Sequence, residues 1–233
     1  MTVIEGSVAL VTGGRRGLGR AFVEELLARG AKKVYATART PDRSEDERVE
    51  VLALDVTDDA SVAALAERVQ DVDIVVNNAG VLYPGALLTA DLRQVQATFD
   101  TNVLGPLRIA QAFAPVLAGR GGGALVDIHS ALSWGAGAGA YGASKAALWS
   151  LTNSLRVELA AQRTQVVGVH LGFADTDMVA ALPVDKLPAA EVARIVLDGV
   201  ERGEREVLVD DVTRALKSAL SGPVEGLTLP IGR

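Results

Sequence analysis

The feature that most constrains this chain is a glycine-rich turn between a short apolar run and an amphipathic stretch. The apolar run is Val8–Val11, and the turn Thr12–Gly19 follows it directly. After the turn, apolar side chains recur every four residues from Leu18 to Leu26 and share one face of a helix. A buried strand that enters a helix through such a turn is typical of the first unit of an open α/β sheet.

Apolar runs and helical patterns keep alternating along the chain. The runs that we interpret as strands are Val8–Val11, Lys33–Ala38, Val49–Leu54, Asp73–Val76, Ala124–His129, Gln165–His170 and Glu206–Val209. The stretches with helical periodicity are Leu18–Arg29, Ser61–Gln70, Asp91–Leu117, Ala140–Ala161 and Ala189–Arg202. Continuous apolar runs suit strands buried on both faces, so this alternation predicts a doubly wound, mostly parallel α/β sheet with helices on both faces.

The remaining segments are interpreted as connections within one domain, residues 1–233. The charged segment Thr40–Arg48 predicts an exposed loop, and the Gly105–Pro106 pair predicts a break or kink in the third helical stretch. Ser221–Arg233 lacks periodicity and is interpreted as a C-terminal tail. The N-terminus does not resemble a targeting segment and no window is apolar enough to span a membrane, so we expect a cytoplasmic protein.

Composition excludes several classes of function. The chain has a net charge of −6, which argues against nucleic-acid binding, and it has no Cys and only two His. Disulfides, thiolate chemistry and Cys-ligated or His-rich metal sites are therefore excluded. We expect no metal, no nucleic-acid partner and no membrane partner.

The glycine-rich turn predicts a dinucleotide site. Gly13, Gly17 and Gly19 allow the backbone to turn sharply and approach a ligand, and the free amides at a helix start bind pyrophosphate. Glycines also end strands for structural reasons alone. The position of the turn between a strand and a helix is what favours the functional interpretation.

The end of the second strand favours NADPH over NADH. An NAD site usually carries an acid there, whereas this chain has Arg39, with Arg16 in the glycine turn. A guanidinium can bind a 2′-phosphate bidentately, although both arginines would equally suit a solvated surface. Asp55 follows the third strand and is a candidate for the adenine amino group, because Asp58 is the better helix cap.

A second group of residues predicts proton-transfer chemistry. Tyr141 and Lys145 lie four apart on one helix face, Ser130 ends the fifth strand, and Asn102 follows the Asn77–Gly80 turn in the chain. Ser130 and that turn fall at the carboxyl edge of the sheet, where open α/β sheets bind ligands. Each residue alone suits a surface or turn role; together, in this order, they predict an active site.

The residue types indicate the reduction of a carbonyl. Tyr141 would donate a proton to the oxygen, and Lys145, at about 5 Å, would lower the pKa of the phenol by about two units. Ser130 would orient the substrate oxygen. Asn102 would hold a water that returns protons to Lys145.

On these residues the chain resembles the short-chain dehydrogenase/reductase family from Val8 to about Asp210. The resemblance implies a seven-stranded Rossmann sheet, a catalytic Asn–Ser–Tyr–Lys tetrad, contact of the lysine with the nicotinamide ribose, and a homodimer or homotetramer packed through the long helices. It also associates basic residues at positions 16 and 39 with NADPH. The cofactor-binding residues expected in all are Thr12, Gly13, Arg15, Arg16, Gly17, Leu18, Gly19, Arg39, Asp55, Val56, Asn78, Ala79, Gly80, Tyr141, Lys145, Gly172 and Thr176.

The chain departs from the family pattern at three places. Leu171–Gly172 stands where Pro-Gly is common, and the crossover at Thr40–Arg48 lacks a helix. The spacing from Ser130 to Tyr141 is two residues shorter than usual, which tightens the loop between them and leaves Ser133 as an alternative to Ser130.

The segment Phe173–Pro188 is expected to cover the substrate as a short lid. Met178 and Leu182 in the lid, with Trp134, are candidates for an apolar substrate wall, and they would equally suit packing roles. His129 and His170 are interpreted as structural.

We therefore expect an NADP-dependent carbonyl reductase that transfers hydride reversibly between the cofactor and a small, apolar ketone or aldehyde, or a secondary alcohol. The alternative is a non-catalytic Rossmann protein that senses the NADPH/NADP ratio, which needs the glycine turn but not Tyr141. A methyltransferase also has a glycine-rich turn, but it gives no reason for Arg39 or for the Tyr–Lys pair.

Overall fold

The computed structural model describes residues 2–228. Its strands are β1 (Val8–Val11), β2 (Lys33–Ala38), β3 (Val49–Ala53), β4 (Ile74–Asn77), β5 (Gly123–Ile128), β6 (Thr164–His170), β7 (Ala174–Asp175), β8 (Leu187–Pro188) and β9 (Glu206–Leu208). Its α-helices are α1 (Gly17–Ala28), α2 (Asp59–Arg68), α3 (Leu92–Phe99), α4 (Gly105–Gly119), α5 (Gly139–Glu158), α6 (Ala189–Glu201) and α7 (Asp211–Ala219).

Seven strands form one sheet in the order β3-β2-β1-β4-β5-β6-β9, and every pairing in it is parallel. This confirms the predicted doubly wound, seven-stranded α/β fold. Successive strands are added to one side of β1 as far as β3 and to its other side from β4 onward, so the order of strands reverses between β1 and β4. Loops after these two strands diverge and leave a crevice at the carboxyl edge, which is where such sheets bind ligands.

Side-chain alternation along the strands builds a core on each face of the sheet. Ala9 and Val11 point to the face that α1 and α6 cover, and Val8 and Leu10 point to the face that α2 and α4 cover. Both sets are buried, so the sheet is apolar on both sides. This double burial is why the strands appear in the sequence as continuous apolar runs.

The predicted strand ends agree with the structure within one residue, and the predicted break in the third helical stretch is also confirmed. A π-helical turn, Asp100–Leu104, separates α3 from α4, and Gly105 and Pro106 open α4. Thr40–Arg48 contains no helix, as predicted. Within residues 2–228, no helix is long and apolar enough to cross a membrane.

Two elements near the C-terminal end were not predicted. Helix α7 begins at an Asp210 capping box whose carboxylate accepts from the amide of Thr213. The lid segment contains the short parallel pair β7–β8.

The C-terminal tail contacts the loop between β5 and α5. A single 3₁₀ turn, Val224–Leu227, belongs to the tail, and the amide of Ala136 donates to the carbonyl of Leu227 at 2.8 Å. Ala136 also forms an isolated bridge with Thr228. Residues 229–233 of the predicted tail lie outside the described residues.

Candidate active site

The turn after β1 packs so closely that it requires glycine. Gly13 and Gly17 have positive φ values of 66° and 51°, which residues other than Gly rarely adopt. A Cβ on Gly19 would collide with the carbonyl oxygen of Gly13 and lie 2.6 Å from Nδ2 of Asn78. A Cβ on Gly17 would lie 3.3 Å from the side chain of Thr176, so the start of the lid meets the glycine turn.

The turn after β4 is tied to the turn after β1. Oγ1 of Thr12 accepts from the amides of Asn78 and Ala79, each at 3.0 Å, and Nδ2 of Asn78 donates to the carbonyl of Thr12 at 3.0 Å. At the start of α1, the side chain of Arg16 makes no capping hydrogen bond. The first amides of this helix are therefore not capped by Arg16, which leaves them available to a pyrophosphate.

Three arginines follow the carboxyl ends of β1 and β2, and they differ in their contacts. Arg16 and Arg39 are exposed, and neither side chain has a hydrogen bond or salt bridge to another residue within 2–228. Arg15 is paired bidentately with Asp42, at 2.6 and 2.7 Å. Arg16 and Arg39 are thus the cations with unshared guanidinium donors beside the glycine turn, which fits a 2′-phosphate.

Asp55 is less available than the sequence predicted. Asp58 does cap α2, with its carboxylate accepting from Ala60 at 2.9 Å. Oδ1 of Asp55 nevertheless accepts from the amide and hydroxyl of Thr57, at 2.9 and 2.7 Å. The hydrogen bond from the Thr57 amide is the main cause that lowers the pKa of Asp55. Only Oδ2 remains for an adenine amino group, because an Asp that follows a strand readily binds the backbone two residues on.

Asn102 lies in the π-helical turn and its amide is committed to other groups. Oδ1 accepts from the amide of Val81 at 2.9 Å, and Nδ2 donates to the carbonyl of Val81 at 2.9 Å and to Oγ of Ser144 at 3.1 Å. Ser144 in turn donates to the carbonyl of Tyr141 at 2.7 Å. Asn102 therefore fastens the turn after β4 to α5. A water on its side chain would have to donate to Oδ1.

Ser130, Tyr141 and Lys145 meet at the carboxyl end of β5. Ser130 lies close enough to Tyr141 to lower the pKa of the phenol, and Nζ of Lys145 lies 5.7 Å from the centre of the Tyr141 ring. Lys145 is buried and donates to the carbonyl of Ile128 at 2.7 Å. The shortened loop therefore still allows Ser130 to reach the phenol. Ser133 instead accepts from the amide of Ser130 at 3.4 Å, so it braces the loop.

The prediction that Lys145 lowers the pKa of Tyr141 is wrong for this structure. Burial raises the pKa of Tyr141 to about 12, although the nearby Ser130 acts in the opposite direction. Burial also lowers the pKa of Lys145 to about 8, against the attraction of Asp127. Helical spacing brought the two groups together, but it did not reveal that both would lose solvation, which disfavours the charged form of each.

The three substrate-wall candidates lie in different surroundings. Trp134 is only 7% exposed, and its ring stacks on His170 at 3.8 Å, so it is a packing residue rather than an open wall. Met178 is 46% exposed and Leu182 is half-buried, as expected of lid residues. At the base of the lid, the amide of Gly172 donates to Asp210 at 2.6 Å and is not free for a ligand.

Sequence reasoning missed several polar residues that support the site. They are Ser144, Asp127 and Thr152. Asp127 lies fully buried in β5, among apolar neighbours. That acidic residue inside an apolar strand pattern was the available signal, because buried charged groups require partners.

The structure places a glycine cradle for a dinucleotide, which is the turn Thr12–Gly19, at the same sheet edge as the phenol of Tyr141, the hydroxyl of Ser130 and the ammonium of Lys145. This combination defines a nucleotide-dependent oxidoreductase of the doubly wound α/β class. A family model described as short chain dehydrogenase matches residues 7–186. The chain belongs to the short-chain dehydrogenase/reductase family.

Curated relatives and solved structures agree with this assignment. The chain is 35% identical over 194 residues to the 3-oxoacyl-[acyl-carrier-protein] reductase FabG of Escherichia coli, covering 78% of this chain and 79% of the relative. It is 34% identical over 197 residues to the 3alpha-hydroxysteroid dehydrogenase of Mediterraneibacter gnavus, with the same coverage of 78% and 79%. A short chain dehydrogenase from Burkholderia cenocepacia, solved in complex with NADP, is 36% identical, with 97% of both chains covered and a TM-score of 0.91.

Proposed function

We propose that this enzyme reduces a carbonyl group at the expense of NADPH. The observation that carries the proposal is the meeting of Ser130, Tyr141 and Lys145 at the sheet edge that also holds the glycine cradle. A protein that only senses a nucleotide has no need of a half-buried phenol beside a hydroxyl there. NADPH, when bound, supplies the hydride.

The state of Tyr141 suits reduction. With a pKa of about 12, the phenol is protonated at neutral pH and can donate its proton to a substrate oxygen. The hydroxyl of Ser130 would share that oxygen and orient it. Lys145, mostly charged below its pKa of about 8, would stabilise the negative charge left on Tyr141 after transfer.

The preference for NADPH rests on Arg16 and Arg39. Their side chains are exposed beside the glycine turn, and no acid follows Ala38 at the end of β2. Relatives support a phosphorylated cofactor, because the Burkholderia cenocepacia structure was solved with NADP and a dehydrogenase of Sphingobium yanoikuyae, 27% identical, with NADPH.

The substrate class is proposed to be a ketone with an apolar body, or the corresponding secondary alcohol. The exposed side chain of Met178 and the half-buried Leu182 give the lid an apolar surface. The names of the relatives indicate a 3-oxoacyl and a hydroxysteroid substrate, which share ketone and secondary-alcohol chemistry on apolar frameworks.

The test is cofactor consumption by purified protein across a panel of ketones, aldehydes, 3-oxoacyl thioesters and oxosteroids. Each substrate is offered with NADPH and with NADH, and a Tyr141→Phe variant serves as the control. We expect consumption with at least one ketone, at a higher kcat/KM with NADPH. Binding of NADPH without turnover of any electrophile would favour the sensor, and equal kcat/KM values with the two cofactors would remove the proposed preference.

A further inference from the structure

A chain of buried polar side chains runs beneath the active site and has no part in the chemistry proposed above. It passes from Asp127 in β5 to Thr152 in α5, then to His129 beside β5 and to His170 at the end of β6. None of the four residues is more than 1% exposed. Such groups are costly to bury unless each is hydrogen-bonded, so the way they are paired carries information.

Four contacts link these groups and end on the active site. Oγ1 of Thr152 lies 2.7 Å from Oδ2 of Asp127, and Nε2 of His129 lies 2.9 Å from the same Oγ1. Nδ1 of His129 lies 3.1 Å from Nε2 of His170, and Nδ1 of His170 lies 3.2 Å from the carbonyl oxygen of Ser130. All four distances are those of hydrogen bonds.

Counting hydrogens shows that an ionised Asp127 cannot satisfy this chain while both imidazoles are neutral. Each of the four contacts needs one hydrogen, and the Ser130 carbonyl can only accept. The Thr152 hydroxyl carries one, each neutral imidazole carries one, and a carboxylate carries none. Three hydrogens are then available for four contacts. The further contact of Thr152 with the carbonyl of Leu148 at 2.9 Å only increases the demand.

One additional proton, placed on Oδ2 of Asp127, satisfies every contact. The acid then donates to Thr152, Thr152 to His129, His129 to His170, and His170 to the Ser130 carbonyl. The other carboxyl oxygen, Oδ1, remains an acceptor for Nδ2 of Asn77 at 2.9 Å. The same proton on His170 would instead leave an imidazolium and a carboxylate in the core.

The surroundings favour the neutral arrangement. Burial raises the pKa of Asp127, although the hydrogen bonds with Asn77 and Thr152, and then the charges of Lys145 and Arg156 from α5, oppose this shift. Burial lowers the pKa of His129 well below its ordinary value, helped by His170 and the same two cations. Burial likewise lowers the pKa of His170 to about 4.

His170 also faces charged groups from β9 and α7. Oε1 of Glu206 lies 3.6 Å from Nε2 of His170 and favours an imidazolium, whereas Lys217 of α7 disfavours it. The bond to the Ser130 carbonyl also favours the protonated ring, but loss of solvation outweighs these contacts.

We propose that Asp127, Thr152, His129 and His170 hold one buried proton on the Asp127 carboxyl, and that this proton positions Ser130 and Trp134. His170 connects the chain to both, since Nδ1 donates to the Ser130 carbonyl and the ring stacks on Trp134 with an interplanar angle of 17°. The four side chains are positioning residues, because they act through Ser130 and do not touch the reacting atoms.

The first test is direct observation of the histidine rings. The chain has only two His, so ¹⁵N NMR of the untagged protein reports each ring, with His129→Asn and His170→Asn giving the assignment. We expect both rings to be neutral, with the proton on Nδ1, between about pH 5.5 and 8. A proton on Nε2 of His129, or an imidazolium at His170, would overturn the placement of the proton on Asp127.

Asp127→Asn is the second test, because an amide copies the protonated acid. Its nitrogen can donate to Thr152 while its oxygen accepts from Asn77. We expect a Tm at pH 6 that is at least as high as that of the native protein, together with unchanged histidine spectra. Loss of the Nδ1–H tautomers in this variant would contradict the proposal, since it would show that the native chain needs a carboxylate.

The pH dependence of stability gives the sign of the effect. A carboxyl whose pKa is raised by folding stabilises the protein while it is protonated, and this contribution is lost as the pH rises through the raised pKa. Asn does not titrate. We therefore expect the Tm of Asp127→Asn, relative to the native protein, to increase from pH 5 upward. A difference that does not change with pH would count against a proton on Asp127.

The matched pair Thr152→Val and Thr152→Ser tests the link to Ser130. Val removes the hydroxyl that joins Asp127 to His129, and Ser keeps it. We expect Thr152→Val to lower kcat about tenfold, with NADPH affinity unchanged, and Thr152→Ser to retain most of the kcat. Equal kcat values for the pair would overturn the positioning role. This arm rests on the proposed reductase activity, whereas the spectra and Tm values do not, so failure of one can be told from failure of the other.

Discussion

The two sides of the crevice are built by different means. On the cofactor side, after β1 and β4, backbone packs on backbone: a Cβ on Gly19 would collide with Gly13, and Thr12 and Asn78 bond main-chain groups. On the substrate side, after β5 and β6, side chains pack on side chains, as the ring of His170 stacks on that of Trp134. Backbone packing demands fixed residue types at fixed spacing. Side-chain packing allows a shorter loop, provided that distant residues fill the space.

The largest effect expected on the substrate side is that of Tyr141→Phe. Removing the hydroxyl removes the proton donor but leaves the ring, so we expect kcat to fall by about 10³-fold. NADPH affinity should stay within about threefold, as measured by titration of cofactor fluorescence. Substantial residual turnover would assign proton donation to another group.

On the cofactor side, the added methyl group of Gly19→Ala should weaken NADPH binding more than any other single methyl group. Its Cβ would push against the carbonyl of Gly13 and Nδ2 of Asn78. We expect NADPH affinity to fall about 100-fold and the free energy of unfolding to fall by about 1–3 kcal/mol.

Gly119→Ala is the matched control, because a Cβ at Gly119 would meet nothing within 4 Å. Calorimetric binding and denaturant unfolding measure both effects. If the two variants behave alike, close backbone packing is not what defines the cofactor side.

Arg39→Ala sharpens the comparison within the cofactor side. A charge-assisted bond to phosphate contributes about 1.5–3 kcal/mol, so NADPH affinity should fall roughly 10- to 100-fold while NADH affinity changes little. Arg20→Ala, which removes an exposed arginine paired with Glu24 on α1, serves as the control. Equal weakening of the two cofactors would show that Arg39 does not contact the 2′-phosphate.

The pH dependence of reduction should report Lys145 rather than Tyr141. Tyr141, with a pKa of about 12, stays protonated, whereas Lys145 loses its charge above about pH 8. We expect kcat/KM to fall up to about tenfold for each pH unit above 8.

The contribution of Lys145 to stability should increase with pH, whereas kcat/KM decreases. Because the pKa of Lys145 is lower in the folded state, its contribution to the free energy of unfolding rises with pH from about 8 to the unfolded value near 10.5. Activity that declines only together with the Tm would point to unfolding instead.

The smallest effect is expected in the lid. Met178→Ala removes apolar surface that is 46% exposed, so kcat/KM for a bulky ketone should fall only about threefold, through KM. Val3→Ala, an exposed position outside the lid, should leave it unchanged. Identical constants for the native enzyme and Met178→Ala on every substrate would remove Met178 from the pocket.

Sequence patterns predicted the cofactor side well because its signals are local. Glycines that face the backbone of other segments must be glycines, and the Gly105–Pro106 break is visible as a dipeptide. Helix α7 was missed because only Thr213 and Leu216 of its residues are buried, which leaves too little apolar periodicity to detect. The Asp210 capping box was the remaining signal.

The properties that escaped prediction depend on burial and on contacts distant in sequence. Helical spacing predicted that Lys145 lies near Tyr141, but it did not predict the loss of solvation that raises the pKa of Tyr141. The pairing of Ile128 with Val169 brings His129 beside His170, and that register cannot be read from either segment alone. The same is true of Trp134, whose burial comes from His170 and Leu216.

The bridge between Ala136 and the tail has a practical consequence for engineering. A chain cut after Leu220 would keep the whole glycine turn together with Asn102, Ser130, Tyr141 and Lys145, yet the loop beside Ser130 would lose the partner that holds Ala136. Truncation at this point would therefore disturb the substrate side of the crevice and leave the cofactor side intact.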